Sequence, residues 1–336
     1  MNILITGGAG FIGSNFIVYF LNKYQHIKLI NLDKLTYAGE LSNLDEVKNN
    51  KNYNFIKGDI CDRGLVEDIF KKHNIKGVIH FAAESHVDNS IKAPNEFINT
   101  NVLGTFNLID VAKNHWMMSP NCVKPEHKNS RFLHISTDEV YGTLGKEGLF
   151  TESTPYAPNS PYSATKASSD FIARSYFHTY GLNVVTTNCS NNYGPKQHDE
   201  KLIPTIIRKA LKGENIPIYG DGSNIRDWLY VEDHCEGIHL TFNKGKAGET
   251  YNIGGKNERN NLYIAHAICE ILDDVIPKKQ SYKKQITFVT DRPGHDFRYA
   301  IDASKIENEL GWKANENFET GIKKTINWYI KKYQVQ

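Results

Sequence analysis

The 336-residue sequence lacks the features that mark secreted, metal-clustered or membrane-spanning proteins. It has five scattered cysteines and no Cys-x-x-Cys pair, which disfavours a disulfide framework or a cysteine zinc site and favours free thiols in a reducing compartment. No apolar run approaches membrane-spanning length. The first residues, "MNILITGG", lack the basic leader of a signal peptide. We therefore expect a cytoplasmic protein with no membrane partner.

The chain also has little excess charge. Its 40 basic and 38 acidic side chains leave a formal net charge of +2, which gives no electrostatic reason to expect a nucleic-acid partner. The thirteen histidines show no spacing that pairs them with acids as metal ligands, so we expect no metal. Any site for an anionic ligand must therefore be built locally. Lone histidines such as His134, inside an apolar run, are expected to be hydrogen-bonded core residues.

Short apolar runs alternate with amphipathic segments through the first 190 residues. The predicted strands are "NILIT", "IKLINLD", "YNFIKGD", "KGVIHFAA", "RFLHIST" and "NVVTTNCSN", with helices predicted between them. Continuous apolar strands that alternate with helices predict an α/β fold: a Rossmann-type, doubly wound parallel sheet covered on both faces.

The alternation loosens after residue 191. We expect residues 1–191 to form a dinucleotide-binding domain and residues 192–336 a smaller α/β substrate domain, with some later segments returning to the first domain. The segment "NIPIYGDGSNIRDWLYVEDH" predicts turns and short strands. The insert at 116–130, "WMMSPNCVKPEHKNS", predicts a surface loop.

A glycine-rich segment, "TGGAGFIGS", follows the first predicted strand and opens a helix. Gly8, Gly10 and Gly13 fit the spacing G-x-G-x-x-G, and Gly7 with the last two fits G-x-x-G-x-x-G. Glycines in this context allow a pyrophosphate to approach the backbone at a helix N-terminus. Asp33 ends the second strand twenty residues later, where a carboxylate would bind ribose hydroxyls and repel a 2′-phosphate. This pattern favours NAD over NADP.

Tyr162 and Lys166 lie four residues apart in the predicted helix "SPYSATKASSDF", so both side chains share one helix face. An ammonium group beside a phenol favours the phenolate and should lower its pKa, which would make Tyr162 a usable base. Thr137 ends the fifth predicted strand and is the third candidate for this site.

These motifs together resemble the extended short-chain dehydrogenase/reductase family over nearly the whole chain. The resemblance rests on "GGAGFIGS", "LD", "GDI", "HFAAESHVDNS", "NTNVLGTFNLID", the Thr-Tyr-Lys set and "NNYGP". It implies bound NAD, with Tyr162 as the base, Thr137 hydrogen-bonded to the reacting hydroxyl and Lys166 tuning both. The cofactor residues it implies are Gly7, Gly10, Phe11, Ile12, Gly13, Asp33, Lys34, Leu35, Thr36, Asp59, Ile60, Phe81, Ala82, Ala83, Ser85, Thr100, Tyr162, Lys166 and Asn192.

Two adjacent acids, Asp138 and Glu139, follow Thr137 in "STDEVYG". Within the family this triplet resembles that of the dTDP-glucose 4,6-dehydratases, which implies C4 oxidation, loss of water across C5 and C6, and return of hydride to C6. By the same resemblance Glu139 is the C5 base and Asp138 the acid for the C6 hydroxyl. The chemistry agrees, because two close carboxyls with separated pKa values provide one acid and one base.

The resemblance also implies a nucleotide-sugar pocket. Arg226 and Arg292, with Asn191 and Asn261, would clamp the diphosphate, because a diphosphate requires cations and amide donors. Tyr219 would lie against the base. The substrate residues implied are Ser85, His86, Thr137, Asn191, Lys201, Leu202, Pro217, Ile218, Tyr219, Arg226, Asn261, Asp291, Arg292 and His295.

Several alternatives stay open at this point. A C4 epimerase on a UDP-sugar would not need an acid pair at positions 138 and 139, and a decarboxylase would need a cation for the substrate carboxylate. A dehydratase could also act on UDP-glucose, because one methyl group on the base discriminates only modestly. A protein that binds NAD without chemistry would usually lack the Tyr-Lys pair. The helical stretches 95–115 and 163–180 resemble those that pair two subunits in the family, so a homodimer is expected.

Overall fold

The computed structural model describes residues 1–291 and 293–334, and strands alternate with helices through most of their length. The strands are β1 Asn2–Thr6, β2 Lys28–Asp33, β3 Tyr53–Lys57, β4 Gly77–His80, β5 Met117–Ser119, β6 Cys122–Val123, β7 Arg131–Thr137, β8 Val184–Cys189, β9 Asn191–Tyr193, β10 Ile216–Tyr219, β11 Ile225–Tyr230, β12 Thr250–Ile253, β13 Glu258–Asn260 and β14 Ile286–Val289.

The helices cover both faces of the main sheet and form much of the C-terminal region. They are α1 Phe11–Lys23, α2 Arg63–His73, α3 Val87–Lys92, α4 Pro94–Phe97, α5 Thr105–Trp116, α6 Pro161–Tyr180, α7 Leu202–Lys212, α8 Val231–Lys244, α9 Asn261–Val275, α10 Ser304–Leu310 and α11 Phe318–Gln334. A π-helical segment, Ile98–Gly104, joins α4 to α5, and a 3₁₀ turn covers Asp138–Tyr141.

Seven parallel strands form the main sheet, in the order β12-β8-β7-β4-β1-β2-β3. The chain runs outward from β1 to β3 and then returns to β4 on the other side of β1, which creates a crevice at the carboxyl ends of β1 and β4. The doubly wound parallel sheet and its six predicted strands are confirmed. The seventh strand, β12, comes from far along the sequence and completes one edge.

The strands of this sheet are apolar because both faces are buried. In β1, Ile3 and Ile5 pack against α1 and α8, while Leu4 points to the opposite face and packs with α2 and α5. Burial of one such side chain contributes about 1.5–3 kcal/mol. Successive strand residues thus supply two separate cores, and the polar groups needed for a site are left to the strand ends.

The C-terminal region is built on small sheets beyond the carboxyl end of the main one. β9 follows directly after β8 and pairs with β11, which pairs with β13, while β10 and β14 form a separate parallel pair. Helices α7, α9 and α11 pack together over this unit through a core that includes Ile206, Ile264 and Ile326. This arrangement places a second layer beside the main sheet's crevice.

Two local expectations were wrong. The "VEDH" end of the segment expected to hold turns and strands begins α8, a helix that packs on α1. The 116–130 insert is not a plain loop, because it forms the antiparallel β5–β6 hairpin and a 3₁₀ turn. Trp116 anchors it: the indole is buried and its N–H donates to the Ile75 carbonyl at 2.8 Å.

Within the described part of the chain, every helix is too short or too polar to cross a bilayer.

Candidate active site

A cavity of about 310 Å³ opens at the carboxyl ends of β1, β2, β4, β7 and β8. All five predicted catalytic residues line it, as does every predicted cofactor residue except Leu35. The cavity extends from the glycine-rich turn to the loop before α7, where Lys201 closes one side. The strand ends therefore bring together side chains that are far apart in sequence.

The glycine-rich turn has no space for side chains at two positions. Gly7 has φ +70°, and a Cβ there would lie 2.6 Å from the amide nitrogen of Ala82. At Gly13 a Cβ would lie 2.5 Å from the carbonyl oxygen of Gly7. Gly10 precedes α1 and has no side chain to cap it, so the first amides of α1 face the cavity side of the turn. The turn fits the pyrophosphate of a dinucleotide.

Asp33 at the end of β2 is held rigidly beside this turn. Its two carboxylate oxygens accept hydrogen bonds from the backbone N–H groups of Ala9 and Leu35, each at 2.8 Å. Burial raises the pKa of Asp33, and the two amide hydrogen bonds oppose that rise. Leu35 does not line the cavity, but its backbone N–H helps to hold Asp33 in position. Lys34 and Asp59 form an ion pair at 2.8 Å on the cavity rim.

The Tyr162–Lys166 pair begins the long helix α6. Ser160 caps this helix with a reciprocal hydrogen-bond pair to Ser163, so the first turn is fixed next to the end of β7. The Tyr162 hydroxyl hydrogen-bonds to Thr137. The Lys166 ammonium donates to the Ile135 carbonyl at 2.8 Å. Helix α6 and strand β7 thereby lock the three side chains together.

The structure does not give Tyr162 the lowered pKa that its pairing with Lys166 predicts. Burial raises the pKa of Tyr162 well above its usual value, and the nearby Glu139 and Cys189 raise it further. Burial also lowers the pKa of Lys166. Tyr162 is therefore a neutral phenol here, and a further positive charge is required before it can act as a base.

Asp138 and Glu139 occupy the first two positions of the 3₁₀ turn after β7. Asp138 is 2% exposed, and burial raises its pKa well above the usual range, with Glu139 and Asp227 adding to the rise and Arg226 opposing it. One carboxyl oxygen accepts a hydrogen bond from Thr137 Oγ1 at 3.4 Å, and the other has no partner among the described residues. The raised pKa favours the protonated form of Asp138, the form that can donate a proton.

The predicted substrate residues fall into two groups. Ser85, Thr137, Asn191 and Lys201 line the cavity, and the Lys201 ammonium donates to the Ser85 carbonyl at 3.0 Å. The others lie outside its wall: His86, Leu202, Pro217, Ile218, Tyr219, Arg226, Asn261, Asp291 and His295. Arg292 lies outside the described residues.

Arg226 in β11 is buried close to Asp138, to judge from its effect on the pKa of that carboxyl. Its guanidinium lies over the Tyr299 ring at 4.2 Å and donates to the carbonyl oxygens of Phe297 and Asp296. These contacts fix its position beside the catalytic acids. The geometry suits a fixed cation better than a mobile surface charge.

Tyr219 and His295 form the outer part of the predicted nucleotide pocket. Their rings lie 6.3 Å apart, edge to face, and His295 Nδ1 is 2.6 Å from an oxygen of Asp291. The Tyr219 side chain is 40% exposed. Asn261 begins α9 and its backbone N–H donates to the Asn224 carbonyl. These predicted nucleotide contacts therefore lie outside the wall of the cavity, in the C-terminal layer of the fold.

Sequence reasoning missed several cavity residues: Leu32, Ala38, Gly39, Gly58, Glu84, Ile135, Ser136, Cys189, Ser190, Gln197, His198 and Glu200. Cys189 could have been found, because it ends β8 just as Thr137 ends the neighbouring strand. Gln197 gave no signal; it reaches the site because its side-chain amide donates to the Asn192 carbonyl. Among residues 1–291 and 293–334, no group of three potential ligands could hold a metal ion.

Comparisons with known proteins cover nearly the whole chain. Residues 4–325 match the family model described as GDP-mannose 4,6-dehydratase. A dTDP-glucose 4,6-dehydratase of Xanthomonas campestris pv. campestris is 54% identical over 329 residues, or 97% of this chain and 92% of that one.

Two crystal structures of dTDP-glucose 4,6-dehydratases are also similar. The Bacillus anthracis protein, in complex with NAD, has a TM-score of 0.88 and 46% identity, and the match covers 99% of this chain and 98% of that one. The Streptomyces venezuelae protein, with NAD and TYD bound, has a TM-score of 0.91 and 42% identity over 100% and 98% of the two chains.

The glycine turn generates a prediction for Gly13→Ala. The added Cβ meets the Gly7 carbonyl oxygen at 2.5 Å, so the turn must shift, and we expect NAD affinity to fall at least about tenfold and stability to fall by about 1–3 kcal/mol. Calorimetric titration with NAD and thermal unfolding measure both. Gly145→Ala is the matched control, because a Cβ there meets no described heavy atom within 4 Å. Equal NAD affinity in the two variants would contradict the role of the turn.

The buried Asp138 generates a prediction about pH and stability. Folding raises the pKa of Asp138. The contribution of this group to the stability of the fold is therefore fully present below its unfolded-state pKa of about 3.9, and it is lost as the pH rises through the folded-state pKa. The Tm of Asp138→Asn minus that of the parent protein should therefore increase as the pH rises.

Asp110→Asn is the opposite control for that measurement. Burial tends to raise the pKa of Asp110, but hydrogen bonds from Arg63 and Lys113 outweigh it and lower the pKa. Its contribution is present above the unfolded-state value and is lost as the pH falls, so this variant should lose Tm relative to the parent as the pH rises. If both variants changed in the same direction, Asp138 would not be a buried neutral acid.

Proposed function

The chain belongs to the NAD-dependent epimerase/dehydratase family, and we infer that it carries out the dTDP-glucose 4,6-dehydratase reaction of its relatives. It converts dTDP-glucose to dTDP-4-keto-6-deoxyglucose and water, with NAD as the cofactor. The glycine turn and Asp33 support that cofactor, since Gly7 and Gly13 occupy positions where a side chain would clash with the backbone and Asp33 lies beside the turn at the end of β2.

The observation that carries this inference is the pair of acids at the end of β7. An enzyme that only oxidises and re-reduces C4 needs Tyr162, Thr137 and Lys166. Elimination of water needs an additional acid and an additional base near C5 and C6. The cavity supplies both, because Asp138 is buried with a raised pKa and Glu139 lines the same wall.

We assign the first step to Tyr162 and Thr137. Thr137 accepts or donates a hydrogen bond at the C4 hydroxyl, and Tyr162 takes the hydroxyl proton as the C4–H bond gives up its hydride. When bound, NAD supplies the hydride acceptor for C4, the hydride donor for C6 and a positive charge beside Tyr162. Lys166 supplies a second positive charge, and together these counter the burial that raises the pKa of Tyr162.

We assign the elimination to Glu139 and Asp138. Once C4 is a ketone, the C5 proton is acidic, and the Glu139 carboxylate removes it. The electron pair left at C5 forms the C5–C6 double bond as the C6–O bond breaks, and the Asp138 carboxyl gives its proton to the departing oxygen to form water. Hydride addition at C6 and protonation at C5 then complete the 4-keto-6-deoxy sugar.

We assign nucleotide binding to the residues beside the cavity. We propose that Arg226, whose buried guanidinium lies over the Tyr299 ring, binds the diphosphate with Asn191 and Asn261, and that Tyr219 contacts the base. That Arg292 also binds the diphosphate stays a prediction from its sequence motif. The boundary between the two domains near residue 191, the cytoplasmic location and the absence of a metal also stay predictions.

We propose that two copies of the chain pair through α5, α6 and the π-helical segment before α5. Helices α5 and α6 pack side by side, and this region exposes four large apolar side chains: Ile98, Leu103, Phe106 and Phe171. An exposed apolar group of this size favours a protein interface, and the commonest solution is a two-fold dimer that uses the same surface twice.

The reaction is tested by mass spectrometry of the products from dTDP-glucose and UDP-glucose. We expect dTDP-glucose to lose one water molecule while its hexose gains a carbonyl group, at a rate above that for UDP-glucose. A product of unchanged mass would indicate an epimerase. Faster conversion of UDP-glucose would transfer the assignment to a UDP-sugar dehydratase.

The division of roles is tested by Glu139→Gln and Tyr162→Phe. We expect Glu139→Gln to form NADH from dTDP-glucose but to lose at least about 100-fold in deuterium exchange at C5, because its base is gone. Tyr162→Phe should lose NADH formation itself. NADH absorbance and exchange measured by NMR separate the two steps. Exchange at the parent rate in Glu139→Gln would exclude Glu139 as the base.

The dimer is tested by Phe106→Asp. A charge at the centre of a shared apolar surface should shift the mass measured by light scattering from two chains to one. Phe288→Asp is the matched control, since Phe288 is also exposed, at 59% against 45% for Phe106, but lies on β14 in the other layer. A parent protein with the mass of one chain would remove the proposal.

A further inference from the structure

Asp170 is a buried carboxylate that the reaction described above does not use. It lies on α6 and is 4% exposed. One oxygen is 2.9 Å from His134 Nε2, and the other accepts hydrogen bonds from Ser136 Oγ at 2.8 Å and Tyr156 OH at 3.0 Å. Three neutral side chains thus hold the Asp170 carboxyl group in one position.

Lys166 lies one helical turn before Asp170 on the same buried face of α6. Both side chains are at least nine-tenths buried. The Lys166 ammonium donates a hydrogen bond to a neutral carbonyl, that of Ile135. Burial lowers the pKa of Lys166, and Asp170 is the first of the groups that raise it again. The charge of Asp170 therefore acts on an ammonium group that lines the cavity.

The other groups around Asp170 leave Lys166 as its main buried counter-charge. His134 donates through Nε2, its Nδ1 has no partner in the described chain, and burial lowers its pKa, so the imidazole is neutral. His80 lies behind it with a pKa held far below its usual value by burial. The remaining charged or titratable groups near the pair are Tyr141, Glu152, Tyr156, Tyr162, Arg174, Cys189 and Glu249. Of these, Arg174 and Glu249 are exposed.

We propose that Asp170 is a positioning residue for the C4 oxidation step: fixed by His134, Ser136 and Tyr156, it holds Lys166 as a charged ammonium at the active site. The proposal rests on the proposed function only in assigning Lys166 to that step. Ser136 and Lys166 both line the cavity, so the network connects the reacting groups to the interior behind β7.

The activity test compares Asp170→Asn with its parent in a Glu139→Gln background, where the reaction stops after C4 oxidation. Removing the negative charge should let Lys166 lose its proton at a lower pH. We expect the alkaline limb of the rate of NADH formation to move down by at least about one pH unit, and the rate above that limb to fall at least about tenfold. Asparagine can still accept from Ser136 and Tyr156 and donate to the other tautomer of His134.

Tyr156→Phe is the matched control in the same background, because it removes one donor and leaves the charge of Asp170. Its alkaline limb should stay at the parent pH even if its rate falls. The proposal would be overturned if the alkaline limb of the rate of NADH formation moved equally in Tyr156→Phe. It would also be overturned if that limb did not move in Asp170→Asn. If the unaltered protein does not dehydrate dTDP-glucose at all, the proposed function fails instead.

A double-mutant cycle on Tm gives a second readout that requires no reaction. Lys166→Met leaves Asp170 as an uncompensated buried charge, so its Tm should fall relative to the parent as the pH rises. Adding Asp170→Asn to Lys166→Met should raise the Tm again, although Asp170→Asn alone lowers it. Additive changes in Tm would mean that the two side chains do not interact, and would overturn the proposal even if Asp170→Asn proved too unstable for kinetics.

Discussion

The chemistry of this protein depends on the burial of one carboxyl group, that of Asp138, directly beside a second acid. Two adjacent carboxylates in water would both ionise and repel each other only weakly. Where strand β7 ends, the sheet, Arg226 and the wall of the cavity remove water from Asp138, and its charged form becomes unfavourable. The same fold that conceals this acid leaves Glu139 at the cavity wall, so two identical functional groups take opposite roles.

The scaffold makes this separation possible because parallel strands all end at one edge. The cofactor turn after β1, Asp33 after β2 and Thr137 after β7 meet in one crevice although they are spread over more than a hundred residues. Helix α6 supplies Tyr162 and Lys166 from its buried face, the same face that packs against β7 and β8. The strand interiors bury only apolar side chains and a few fixed polar groups, so the position of the site does not depend on flexible loops.

Much of this could be predicted from the sequence, and the exceptions have physical causes. The glycine turn, the six strands and the Tyr-Lys spacing are local patterns, and the structure places them as expected. The pKa of Tyr162 was misjudged because its burial comes from tertiary packing, which spacing cannot report. The β5–β6 hairpin was missed because it is stabilised by Trp116 bonding to Ile75, a contact between distant segments. Asp170 gave no signal, since its partners come from β7 and from the loop before α6.

The most direct test of this account is the protonation state of Asp138 in the folded protein. Infrared difference spectroscopy of the parent protein against Asp138→Asn, recorded at neutral pH, reports the carbonyl band of a protonated carboxylic acid. The account predicts that this band is present in the parent, absent from the variant and lost only at alkaline pH. A difference spectrum that contained only carboxylate bands would show that Asp138 is ionised, and the division of roles between the two acids would then be wrong.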